Sequence, residues 1–190
     1  EDNNYTTLKR SKLIEFLLGG IPKDKLIFNC ELNDIKQGDK TSLLFSDNKT
    51  DEFDYLVAAD GVYSKTKQLL FKKEGLPEYA NTIALRGSIK DFNNLDISLH
   101  LGSNFHFLIY PINQNKEFNF IAIIRKKFIQ RKLINKNLLN DNAFKKNLLK
   151  EISSKSNLNL VEKVEKTKCF PVFVSKKFLI PKSNNIFLTG

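Results

Sequence analysis

Asp54-Tyr55-Leu56-Val57-Ala58-Ala59-Asp60-Gly61-Val62-Tyr63-Ser64-Lys65-Thr66-Lys67 is the stretch on which the reading of the fold turns. Residues 55–59 form a continuous small and apolar run, the pattern of a strand covered on both faces. The run ends at Asp60-Gly61, where glycine admits backbone turns that other residues resist. Ser64 is placed to cap a short helix through Leu70 and Phe71. Small Ala58 and Ala59 permit close backbone approach, and Asp60 stands at a strand's carboxyl end, where open α/β sheets bind their ligands. An ordinary strand, Asp-Gly turn and capped helix would carry the same residues. The motif alone leaves both readings open.

Upstream of it, residues 7–18 carry Leu8, Leu13, Ile14, Leu17 and Leu18 at helical spacing, until Gly19-Gly20 and Pro22 stop the run. Residues 26–35 alternate loosely like a strand. Turns at Gly38-Asp39 and Asp47-Asn48 flank residues 42–45, which predicts a short antiparallel meander. Downstream of Pro77 the character changes. Four strand-like stretches, 83–89, 95–101, 105–110 and 118–124, are divided by polar turns. Residues 127–155 are rich in lysine and asparagine, with Leu138, Leu139, Phe144, Leu148, Leu149 and Ile152 at helical spacing, so at least one amphipathic helix is expected. Residues 161–174 and the short apolar run 185–189 read as further strands.

The 190 residues carry a formal charge of +10, with 31 Lys+Arg against 21 Asp+Glu. Lysine supplies most of the cations, whereas phosphate or guanine recognition favours clustered arginine with its planar fork. Together with abundant Asn, Ile and Phe, the bias reads as that of an AT-rich coding sequence, and nucleic acid is excluded as a partner. Cys30 and Cys169 make no CxxC spacing, and His100 and His106 do not complete a metal site with them. Both cysteines are expected to be reduced, and the protein cytoplasmic. No apolar run reaches the roughly 18 residues needed to span a bilayer. With no methionine, and with Gly190 directly behind an apolar strand, the sequence is expected to be an internal piece of a longer protein.

The strand–Ala-Asp-Gly–x-x-Ser–x-x-Lys pattern of residues 55–67 resembles the corresponding motif of the FAD-dependent aromatic-ring monooxygenases, which include the salicylate and ubiquinone-pathway hydroxylases. Lys67 stands where that family has arginine. Three further segments fall in the family's order. Arg10-Ser11-Lys12-Leu13 with Leu17 resembles an Arg-x-x-Leu helix whose arginine reaches the flavin; an exposed arginine on an amphipathic helix would look the same. Cys30-Glu31-Leu32 falls where a strand passes the adenine. Gly102 through His106 to Tyr110-Pro111, followed by Asn119, resembles a segment of the substrate-domain sheet. His106 and Tyr110-Pro111 could equally be strand residues without chemistry.

The resemblance implies an α/β fold in which residues 1–74, with a returning strand at 184–190, form part of a Rossmann-like FAD domain with a β-meander. Residues 75–183 would form a sheet-and-helix substrate domain. It implies FAD as cofactor, NADH or NADPH as co-substrate, and O2 and a small phenol-like ring as reactants. Arg10, Leu32, Asp60, Gly61 and Gly190 would contact the cofactor, and His106, Tyr110 and Pro111 would line the ring pocket. Peripheral membrane contact is expected if the substrate is a quinone precursor. No catalytic base is assigned. The glycine-rich Gly-x-Gly-x-x-Gly loop and the aspartate after the last glycine are not in the sequence, so the 190 residues alone are expected to be inactive. A flavin-dependent reductase or dehydrogenase of the same fold, and a non-catalytic binding module, are the alternatives.

Overall fold

Period-two alternation in residues 105–112 and 117–125 builds the centre of the main sheet, seen in a computed structural model that describes residues 8–93, 96–112, 117–128, 136–175 and 177–189. β7 (Phe105–Ile112) buries Phe105, Phe107, Ile109 and Pro111 and turns the intervening residues the other way. Its antiparallel neighbour β8 (Glu117–Arg125) does the same with Phe120, Ala122 and Ile124. On one flank β6 (Ser98–Leu101) pairs with β7, and on the other β5 (Glu78–Ile89) pairs with β8 and carries β9 (Val164–Val174) on its far edge. Between β5 and β9 the backbones approach closely at Gly87, where a Cβ would lie 2.6 Å from the Glu165 carbonyl oxygen.

The buried face of this sheet is covered by helices. α3 (Lys136–Asn140) ends where Asp141 caps α4 (Asn142–Ser156), its carboxylate accepting from the Ala143 N–H at 2.9 Å. Asn157, with φ of 56°, turns the chain at the other end of α4. α5 (Leu160–Lys163) follows, so the first residues of the expected strand 161–174 are helical and only Val164 onward is extended. Leu148, Leu149, Ile152 and Leu160 pack against Ile83, Leu85, Phe107, Ile109 and Phe120 in a single apolar cluster. This is where the helical spacing of leucines in 138–152 finds its partner. The cluster belongs to one of two compact units, drawn from the described residues of Glu1–Gly20 and Ala80–Val172. α1 (Arg10–Gly19) is in the same unit but buries no residue, and Phe16 is 78% exposed.

The second unit takes Ile21–Tyr79 and the described part of Phe173–Gly190. β1 (Leu32–Lys36), β2 (Thr41–Phe45) and β3 (Thr50–Phe53) form the expected antiparallel meander. The strand expected over residues 26–35 is shorter. A 3-10 turn at Lys23–Lys25 and the left-handed Asn29 (φ of 55°) hold the preceding residues out of the ladder, and pairing starts at Leu32. β4 (Leu56–Ala58) pairs in parallel with β10 (Ile186–Leu188), and α2 (Lys65–Phe71) follows the Asp60-Gly61 turn. One expectation is corrected here: residues 55–59 are not covered on both faces. Ala58 is buried, but Val57 is 64% exposed and stands beside Phe187, itself 50% exposed, because in the parallel register the two side chains share one face.

Candidate functional site

Asp60, two residues beyond β4, and Ser64 each hold a backbone N–H at the start of α2. The Asp60 carboxylate accepts from the Thr66 N–H at 3.0 Å, and Ser64 Oγ accepts from the Lys67 N–H at 2.9 Å. Those are two of the unpaired backbone donors that every helix start leaves. Partial burial pushes the Asp60 carboxyl up, but hydrogen bonds from the Ser64 hydroxyl and the Thr66 backbone outweigh it, and the group is held below the ordinary carboxylate range. Ser64 itself is fully enclosed. Gly61 takes φ of +76°, and nothing lies within 4 Å of the place where a Cβ would stand. The turn thus combines a charged, anchored carboxylate with an open stretch of backbone.

The parallel pair brings the ends of two strands to this turn. The Thr189 N–H donates to the Ala58 carbonyl at 2.9 Å, so the chain leaves β10 at the same end where Asp60 leaves β4. Gly190, the cofactor residue expected there, lies outside the described residues. Leu32 opens β1, which packs beside α2, and Lys65 on α2 reaches Glu31 at 4.0 Å. The turn, α2 and β1 therefore gather Leu32, Asp60 and Gly61 in one unit, whereas Arg10, exposed at the first position of α1, belongs to the other. Lys67, at the family's arginine position, lines a surface cleft of about 370 Å³ with Phe178, Ile180 and Leu188.

In the other unit, His106, Tyr110 and Pro111 all fall on β7 but do not share a face. Pro111 turns inward with Phe107 and Ile109, while His106 and Tyr110 point to the opposite side. Asn119 faces Tyr110 directly across the β7–β8 ladder, and its Nδ2 donates to the Tyr110 hydroxyl at 2.7 Å. Ser64 and Thr66 as anchors of Asp60 were legible only as a helix start. The Tyr110–Asn119 pair depended on strand register, which residue spacing does not give. Among the described residues no cluster of histidine, cysteine and carboxylates could hold a metal ion.

The fold these elements form is that of the solved FAD-dependent monooxygenases. A salicylate hydroxylase substrate complex superposes with a TM-score of 0.73 at 16% identity, covering 95% of this chain and 49% of that one. Klebsiella pneumoniae HpxO complexed with FAD and uric acid gives 0.68 at 16% identity, covering 95% and 47%. The sequence relatives are enzymes of the same kind. They include the FAD-dependent monooxygenase eupB of a Phoma species, 26% identical over 136 residues, covering 64% of this chain and 30% of that protein. Salicylate hydroxylase of Pseudomonas putida is 24% identical over 138 residues, covering 63% and 32%. The chain thus spans about a third of the length of these curated relatives. No family model matches it. The α/β fold and the likeness to FAD-dependent monooxygenases expected from residues 54–67 are both borne out. No helix among the described residues is long and apolar enough to cross a membrane.

Proposed function

We propose that the protein is a cytoplasmic FAD-dependent monooxygenase that uses NADH or NADPH and O2 to hydroxylate a small phenol-like ring. The observation that carries this reading is the Asp60-Gly61 turn at the common end of the parallel strands β4 and β10. The residues present fit a flavin nucleotide. The open, left-handed Gly61 leaves backbone approachable by a ligand, and the anchored Asp60 carboxylate is a fixed acceptor for sugar or ribityl hydroxyls. In this reading Leu32 offers backbone groups to the adenine, Gly190 is a further cofactor residue, and Arg10 matches the pyrophosphate with its permanent charge and planar fork. Residues 1–74 with 184–190 then serve the cofactor, and 75–183 the substrate.

FAD, when bound, supplies the electron transfer from the nicotinamide and the activation of O2. What the chain supplies is placement. Asp60 stays ionised because its hydrogen bonds hold it so, and His106, Tyr110 and Pro111 sit on the sheet assigned to the ring.

The test is made on the full-length protein. It should bind FAD, consume NAD(P)H and O2 when a phenolic substrate is added, and place one atom of labelled O2 in the product. Arg10→Ala should weaken FAD binding by about 1.5–3 kcal/mol, the usual loss of a charged hydrogen-bond partner. A full-length protein that holds no flavin, or that is reduced without incorporating oxygen, overturns the assignment.

A further inference from the structure

α1 carries its cations at the unfavourable end. Lys9 stands at its N-cap, Arg10 opens the helix and Lys12 follows, with no acidic residue in the first turn. The unpaired amides of a helix start already carry a positive partial charge, so these side chains are repelled by it and by one another. Carboxylates answer two of the three. Lys12 meets Glu15 at 2.8 Å within the helix. Lys9 reaches out of the helix altogether, and its ammonium lies 3.1 Å from both carboxylate oxygens of Glu117, 108 residues further along the chain. Among the described residues Arg10 has no ion-pair partner. The arrangement sorts the cations, two engaged and one available.

Glu117 is the first residue of β8, whose pairing with β5 and β7 makes the centre of the five-stranded sheet. α1 buries no residue of its own, so apolar packing holds it weakly. Its start is tied to the sheet by charge. Lys9 and Glu117 are 45% and 48% exposed, and an ion pair so placed adds little to overall stability. An ammonium held by both oxygens of one carboxylate is nevertheless fixed in place, since charge-assisted hydrogen bonds are short and strong.

We infer that Glu117 is a positioning residue for the cofactor. By holding Lys9 it sets the start of α1 against the sheet and leaves Arg10 as the cation that meets a nucleotide pyrophosphate. The inference rests on the proposed function, which assigns Arg10 to that group. Glu117 touches no ligand and acts through Lys9. Direct charge effects have the opposite sign. A carboxylate felt by a bound pyrophosphate repels it, so its removal would tighten binding, and a Lys9 released to join Arg10 would tighten it further. Positioning requires that removal weaken binding.

The experiment titrates FAD into the full-length apoprotein and reads affinity from the change in flavin fluorescence. Glu117→Gln and Lys9→Gln should each weaken binding about threefold, within the range of an exposed ion pair. The charge swap, Lys9→Glu with Glu117→Lys, should restore most of the loss. The gap between wild type and Glu117→Gln should narrow at about 1 M salt, where screening acts within about 3 Å. A merely structural role for the Glu117 side chain would neither follow salt nor be rescued by the swap. Circular dichroism checks that each variant is folded. Tighter or unchanged binding in Glu117→Gln, or a swapped pair as weak as the single variants, overturns the inference. If Arg10→Ala weakens FAD binding while Glu117→Gln does not, the flavin reading stands and this inference alone falls. If neither substitution changes it, the assignment of Arg10 to the pyrophosphate falls as well. A full-length protein with no affinity for FAD takes down both.

Discussion

Asp60 anchors the start of α2 and, in the proposed reading, meets the cofactor as well. Its folded-state ionisation lies below the ordinary carboxylate value, because hydrogen bonds to the charged form outweigh the burial that opposes it. A depressed carboxylate contributes stability above its unfolded value and loses it as pH falls through the folded one. Wild type should therefore exceed Asp60→Asn in stability at neutral pH. The gap should be modest for so accessible a group, about 0.5 kcal/mol or less, and should close as the pH is lowered through the carboxylate range in urea titrations. Ser64→Ala should cost about 1 kcal/mol at neutral pH, since it removes the N-cap acceptor of α2, and part of that loss should fade as pH falls, because the Ser64 hydroxyl also helps hold Asp60 ionised. A loss that stayed constant with pH would show that Ser64 acts through the cap alone. The cysteines differ just as clearly. Burial pushes the Cys169 thiol up to about 11, while Cys30 is exposed. A disulfide exchange reagent at pH 8 should label Cys30 in the native protein and reach Cys169 only after denaturation.

At the scale of the element, the close approach of β5 and β9 is the tightest constraint. Gly87 is needed for space and not for an unusual φ, because an added Cβ would meet the Glu165 carbonyl at 2.6 Å and the Val164 side chain at 3.0 Å. Gly87→Ala should destabilise the unit by about 1–3 kcal/mol, the usual cost of overpacking, read as a lower urea midpoint with an unchanged slope. An unaffected midpoint would mean that the two strands can part at no cost. α4 shows the opposite relation between sequence and packing. Its leucine spacing announced a buried stripe, and the stripe is buried. α1 has the same kind of spacing but no buried residue, so periodicity announced a helix without announcing a partner.

Across the whole molecule, the two units differ in how completely they close. The sheet-and-helix unit owns the large buried cluster, whereas the second unit leaves Tyr55, Val57 and Phe187 exposed on the β4–β10 pair. Hydrogen exchange on the 190-residue chain should be slowest in β5, β7, β8 and α4 and faster in β4 and β10. The same chain should neither bind FAD tightly nor oxidise NAD(P)H, since it contains no glycine-rich loop after any described strand to supply backbone donors to a pyrophosphate. A purified 190-residue chain that emerged yellow with stoichiometric flavin would place the cofactor site elsewhere.

Local signals in the sequence determined the elements that local rules control. Asp60-Gly61 and Ser64 fixed the turn and the capped helix, because glycine's φ freedom and a serine cap act within a few residues. The apolar stretches 105–110 and 118–124 announced two strands but not the facing of their residues, since His106, Tyr110 and Pro111 were expected to line one pocket and fall on two faces. Tertiary structure alone decided the rest. The pairing of Tyr110 with Asn119 depends on the register between two strands, and a one-residue slip would have set it aside. The exposure of Val57 depends on which strands stand beside β4, which an apolar run cannot state. Asn29 shortened β1 by adopting a left-handed conformation, an outcome settled by the path of the surrounding chain and not by the alternating pattern around it.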